Sequence, residues 1–100
     1  MKLWEEIRKK IMGWFNVIEK PSQFGSPHGY WVGSKGFCHF HGENELDIKL
    51  SRGLQKNFLS DKRVSQNPYS DKNILVRFNT ESDADYALSI VRQAYEEVEK

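Results

Sequence analysis

Between residues 36 and 50, apolar side chains recur at every second position on both sides of a short polar turn. This pattern constrains the fold more than any other feature of the chain. In residues 36–41, Cys38 and Phe40 point one way while Phe37, His39 and His41 point the other. In residues 45–50, Leu46, Ile48 and Leu50 share one face, and Glu45, Asp47 and Lys49 the opposite one. The two apolar sets must share a core, so Cys38 and Phe40 pack alongside Leu46 and Ile48. That requires an odd number of loop residues, because an even loop would set His39 opposite Ile48. A three-residue loop at 42–44 satisfies the requirement. His39 then faces Asp47 and His41 faces Glu45, with Cβ atoms about 5 Å apart. Shifting the loop by one residue sets His41 opposite Asp47 instead. Either register collects two imidazoles and a carboxylate on the non-core face.

The remaining elements follow from periodicity and turn chemistry. Leu3, Ile7, Ile11, Trp14 and Ile18 recur at spacings of three and four, which predicts an amphipathic helix over 2–19 stopped by Pro21. Trp4, Met12, Phe15 and Val17 broaden its apolar arc, leaving surplus for a deep core contact, a ligand cavity or a dimer surface. Residues 21–29 are rich in turn formers and read as loop. Strands are expected at 30–34, 36–41, 45–50 and 74–78. The glycine-bearing connections between the first three make a meander. A short helix over about 52–60 has Ser51 as its cap, and the polar stretch 61–73 reads as loop. Thr80, with Asp83 three residues on, opens a final helix whose apolar face runs from Ala84 to Val98. The expectation is a single α+β domain over 1–100. Its order is α-β-β-β-α-β-α, with an antiparallel four-stranded sheet and helices mainly on one face. The other face is where function would sit.

Composition narrows the classes of function. At 38% hydrophobic and 13% aromatic, the chain has the makings of a packed core. A formal net charge of +1 gives no overall drive toward nucleic acid or membrane. Residues 49–77 nevertheless carry seven bases against two acids, and residues 81–100 carry six acids against two bases. That split fits either an anion-binding face or two oppositely charged solvated surfaces. Cys38 is the single cysteine, so there is no intramolecular disulfide and no multi-thiolate zinc site. A lone thiol suits a reducing cytosol. The opening residues lack the layout of a signal peptide, and no apolar run approaches a membrane span. The expectation is a cytoplasmic protein.

The His39, His41 and Asp47 group admits three readings. It is a partial ligand set for a divalent metal, a general acid/base pair with an orienting carboxylate, or a set of solvated and cross-strand hydrogen-bonded side chains. Cys38 belongs to the presumed core face and reads as a small buried hydrophobe. Gly33-Ser34-Lys35-Gly36 lacks the strand-loop-helix setting of a phosphate loop and reads as a hairpin turn. Arg52 and Arg77 are candidates for holding an anion near the open face. Tyr30 and Trp31 are candidates for ligand contact there. Tyr30, Trp31 and Phe37 with nearby bases would make a stacking platform for nucleic acid, but the acidic neighbours and the lack of the aromatic-rich motif of RNA-binding sheets argue against it.

The stretch HFHGENELDIKLSR at 39–52, followed by ILVRF at 74–78 and VRQAY at 91–95, resembles a family of small proteins labelled "luciferase domain". The resemblance runs in order over about residues 24–98. It implies that His39, His41 and Asp47 occupy the family's recurring polar positions, and that Arg52 matches a basic residue just past the third strand. Members often carry Pro where this chain has Ser51, which alters how the helix begins. The label implies no light emission here, since nothing in the chain points to luciferin, flavin, nucleotide or oxygen chemistry. The order of elements is also similar to the small YjbR-like α+β domains. The leading expectation is a binding module for an anionic small ligand or a protein partner on the sheet face, acting as a monomer or homodimer. The alternative is a small hydrolase or metal-dependent enzyme using His39, His41 and Asp47.

Overall fold

A computed structural model describes residues 1–23 and 25–100. The fold is α+β, in the order α1 (Leu3–Met12), β1 (Val17–Lys20), β2 (Gly29–Val32), β3 (Lys35–Phe40), β4 (Glu45–Lys49), α2 (Arg52–Gln55), β5 (Val64–Gln66), β6 (Asn73–Arg77) and α3 (Glu81–Glu99). The strands form one antiparallel sheet in the order β1-β2-β3-β4-β6-β5. It has six strands rather than four, and each of the two extra strands corrects a sequence expectation.

The first correction is the helix over 2–19. It ends at Gly13, and Asn16 takes a left-handed backbone (φ 63°) that asparagine tolerates better than most residues. The chain then re-emerges extended as β1, with Val17 opposite Val32 and Ile18 opposite Trp31. Val17 is buried and Ile18 exposed, as strand alternation requires. Trp14 and Ile18 had fallen into the helical spacing by coincidence. The second correction lies in the stretch 61–73. Val64 pairs with buried Val76, and three residues suffice for an edge strand too short to show a period.

One face of the sheet carries the helices. α3 packs across β2, β3, β4 and β6, and α1 packs against α3 and β1. Leu46, Ile48, Ile74, Val76, Ala87, Ile90, Val91 and Ala94 fill the space between with essentially no exposure. Thr80 caps α3 as its spacing predicts, its hydroxyl accepting from the Asp83 amide at 3.1 Å. Ser51 sits at the start of α2 without a side-chain cap bond, and that helix is only four residues long, shorter than the expected 52–60.

A bulge in β3 corrects the expected partition of that strand. Tyr30 pairs with Cys38 while Trp31 pairs with Gly36, so Phe37 is the extra residue. Instead of sharing a face with His39, Phe37 is fully buried and meets the Tyr95 ring of α3 edge-on at 5.7 Å. Past the bulge the alternation resumes, with Cys38 opposite Ile48, His39 opposite Asp47 and Phe40 opposite Leu46. Phe78 lies just beyond β6, and the β2–β3 hairpin turns at Gly33-Ser34, where Gly33 has φ 61°.

Two loops roof the second face. Residues 21–23 and 25–28 lie against β2: a Cβ on Gly29 would lie 2.8 Å from the Lys20 carbonyl oxygen and 3.1 Å from Ser22, so only glycine fits. Ser26 Oγ donates to the Phe40 carbonyl at 2.8 Å and ties that loop to the end of β3. Residues 67–72 form the other roof, anchored by Asn67 and Asn73.

Candidate functional site

The strand register sets the centre of the site. His39 and Asp47 face each other on the loop side of the sheet, with His39 Nε2 3.6 Å from Asp47 Oδ2. Sequence reading expected them on a half-exposed face. The roof makes both of them buried, at 6% and 5% exposure. The Asp47 carboxylate is fully engaged: Asn73 Nδ2 donates to Oδ1 and Asn67 Nδ2 donates to Oδ2, each at 2.7 Å. Asn67 Oδ1 in turn accepts from the Tyr69 amide at 2.7 Å, and Ser70 Oγ donates to Asn73 Oδ1 at 3.0 Å. One buried acid thus organises the whole loop 67–72. Burial pushes the His39 imidazole below the ordinary histidine range; the Asp47 charge opposes that shift and His41 adds to it. Burial likewise raises the Cys38 thiol well above its usual value, with the Asp47 charge adding to it, so Cys38 is held as an inert thiol on the core side.

The other candidates separate from this pair. His41 is solvent-exposed, with Nδ1 2.7 Å from Glu45 Oε1. Among the described residues, no three His, Cys, Asp or Glu side chains are arranged to hold a metal ion. His28 faces the helix side of the sheet, where its ring meets Trp4 and its Nδ1 lies 3.0 Å from Glu19. Tyr30 also lies on that side, with no exposure, and donates its hydroxyl to Glu19 at 2.7 Å. The bulge register puts Tyr30 opposite Cys38, and therefore in the core rather than at a ligand. Glu19 is further held by a bidentate Arg8 at 2.7 and 2.8 Å, which lowers its carboxyl to about 2. Arg52 is an exposed residue of α2 paired with Asp71, and Arg77 donates to the Lys62 carbonyl. Arg77 shares the loop side of β6 with Leu75, as its alternation with Val76 predicts, but neither arginine lines the two clefts on that face, while Trp31 lines one of them.

Trp31 opens a cleft that sequence reading missed. The cleft has a volume of about 310 Å³ and is lined by Trp31, Ser34, Lys35, Lys49, Lys72 and His39, among others. Among the described residues, no acidic side chain lines it. Among the described residues, none of its three lysines has an ion-pair partner. Gly36 lets the Trp31 ring lie flat on β3, since a Cβ there would already press the ring atoms at 3.3 Å. Lys20 sits 4.4 Å from the ring centroid and adds a fourth positive charge beside the cleft. The Trp31 indole Nε1–H is buried with no acceptor among the described residues. The signal for the cleft was partly present in the sequence: alternation sets Lys49 beside Asp47, and Lys35 lies in the hairpin turn. Lys72 could not be placed without the loop.

A second cleft, of about 570 Å³, lies on the same face and is lined by Pro27, His39, Asp47, Pro68, Tyr69 and Leu75, among others. His39 lines both clefts.

Among the described residues no helix is long and apolar enough to cross a membrane. Comparison with curated proteins and with solved structures yields no match. The Luciferase domain family model matches residues 34–94, from the β2–β3 turn through most of α3, and so spans His39, Asp47, Lys49 and Lys72 together. By that match, the chain belongs to the Luciferase domain family.

Proposed function

We propose that this chain is a cytoplasmic binding module for a small anionic ligand held on the loop-covered face of the sheet. The observation that carries the proposal is the cleft bordered by Lys35, Lys49 and Lys72, which among the described residues has no acidic lining and has on its wall a tryptophan whose indole donor lacks an acceptor. Three uncompensated ammonium groups around one small space repel each other, and an anion relieves that repulsion. A buried donor without a partner costs roughly 1–3 kcal/mol, which an acceptor recovers. At about 1 kcal/mol for each of the three solvated lysine contacts, the sum is about 4–6 kcal/mol, a Kd between about 1 mM and 40 μM for pyrophosphate.

Thermal shift with phosphate, pyrophosphate, sulfate and citrate tests the proposal. Millimolar pyrophosphate should raise the Tm by several degrees, and the rise should shrink with added salt. A Lys49→Glu/Lys72→Glu double variant should lose the response. An unchanged Tm with every anion would dismiss the proposal.

One observation favours a second reading, a small hydrolase. His39 faces a carboxylate that is itself held by two amides, which is how a general base is oriented. In that reading His39 is the base and Asp47 the positioning residue. Turnover of p-nitrophenyl phosphate that disappears in His39→Gln would favour it over binding alone.

A further inference from the structure

The anion cleft does not stand alone on its face, and its neighbour has the opposite character. Pro27, Pro68, Tyr69 and Leu75 give the larger cleft a mainly apolar lining. The same two loops build both clefts. Ser22 and Gln23 line the basic one and Gly25, Ser26 and Pro27 the apolar one; Asn67, Pro68 and Tyr69 line the apolar one and Ser70, Lys72 and Asn73 the basic one. His39 belongs to both.

Resting on the anion reading above, we infer that the ligand is an aromatic phosphate ester, its phosphate among the lysines and its ring against Tyr69, Pro68 and Leu75. Tyr69 is 94% exposed, and its ring has no aromatic or hydrogen-bonding partner among the described residues. Its backbone, in contrast, is pinned through Asn67 to the buried Asp47. An aromatic side chain held in place at its root and bare at its tip is a platform for stacking a second ring. Leu75, opposite Asp47 on β6, supplies a half-buried apolar floor on this sheet face. A flat ring joined to a phosphate would span the change of character that occurs at His39.

Titration of the protein with inorganic phosphate, 1-naphthyl phosphate and 1-naphthol, followed by tryptophan fluorescence, tests this. 1-Naphthyl phosphate should bind at least tenfold more tightly than inorganic phosphate, and Tyr69→Ala should remove most of that advantage while leaving the phosphate affinity unchanged. Tyr69 is too exposed for its truncation to threaten folding, and an unchanged Tm would confirm that. A phosphotyrosine-containing peptide in the same titration distinguishes a free ester from a peptide-borne one, and tight binding of either sustains the inference. If phosphate binds and the naphthyl ester binds no better, or if Tyr69→Ala changes nothing, the inference is overturned and the anion site stands. Absence of binding by phosphate and ester alike would overturn both.

Discussion

Asp47→Asn is the substitution that most sharply probes how the roofed face is held. The carboxylate accepts from Asn73 on one oxygen and from Asn67 on the other, both at 2.7 Å, in a setting only 5% exposed. An amide of the same shape can offer an acceptor to only one of those two asparagines. The other is left with donor facing donor, losing a charge-assisted bond of roughly 1.5–3 kcal/mol, and the surviving bond drops to neutral strength at a loss of about 1 kcal/mol. The expected destabilisation is therefore about 3 kcal/mol, read as a lower urea midpoint at unchanged m-value. A second readout separates this from generic core damage. The Asp47 charge supports protonation of His39 against burial, so removing it should drive the His39 imidazole titration further down, as followed by NMR of the ring protons. A loss below about 1 kcal/mol, or a His39 titration that does not move down, would refute the claim that Asp47 anchors this face.

Three further outcomes follow from other parts of the molecule. Glu19, lowered to about 2 from an ordinary 4.5, lends stability that is complete above pH 4.5 and is lost as pH falls toward 2, about 3 kcal/mol in all. Glu19→Gln should cost a similar amount at pH 7 and flatten its share of the acid-unfolding curve; an equally steep curve would contradict this. His39 behaves with the opposite sign of charge. Because its folded-state value lies below 6.5, the unfolded chain takes up the proton first, and stability falls as pH drops from 6.5 toward that lower value, by at most about 1.4 kcal/mol per pH unit. Urea melts at pH 7.5 and 5.5 should show that loss in the wild type and not in His39→Gln. Thr80→Ala, which removes the cap on α3, should cost about 1 kcal/mol by the same melts, and no loss would mean that the cap carries nothing.

What was legible in the sequence is what rests on local rules. Parity across an odd loop correctly set His39 against Asp47, because a one-residue slip would have turned Leu46 and Ile48 out of the core. Thr80 and Asp83 marked the start of α3 for an equally local reason. The misses arose where a local signal was ambiguous or the decision lay elsewhere in the chain. Trp14 and Ile18 fit a helical period, yet Gly13 and the left-handed Asn16 redirect the chain, and β2 recruits Val17 and Ile18 as a strand. Phe37 alternates with His39 on paper, yet burial of its ring against Tyr95 is accommodated by a bulge. Tyr30 looked available for ligand until the register set it beside Glu19 in the core. The polar stretch 61–73 gave no hint that Asn67 and Asn73 would converge on Asp47, twenty and more residues away. The basic cleft needs that convergence, because it brings Lys72 beside Lys49 and Lys35.

The Trp31 indole proton reports on the cleft directly. In a ¹H–¹⁵N spectrum of the labelled protein, three indole signals are expected, one each from Trp4, Trp14 and Trp31. Titration with pyrophosphate should move the Trp31 signal saturably and leave that of Trp14, which packs against Tyr95 on the helix side, in place. An unmoved Trp31 signal at millimolar pyrophosphate, or a response unaffected by Lys49→Glu/Lys72→Glu, would contradict an anion site on this face.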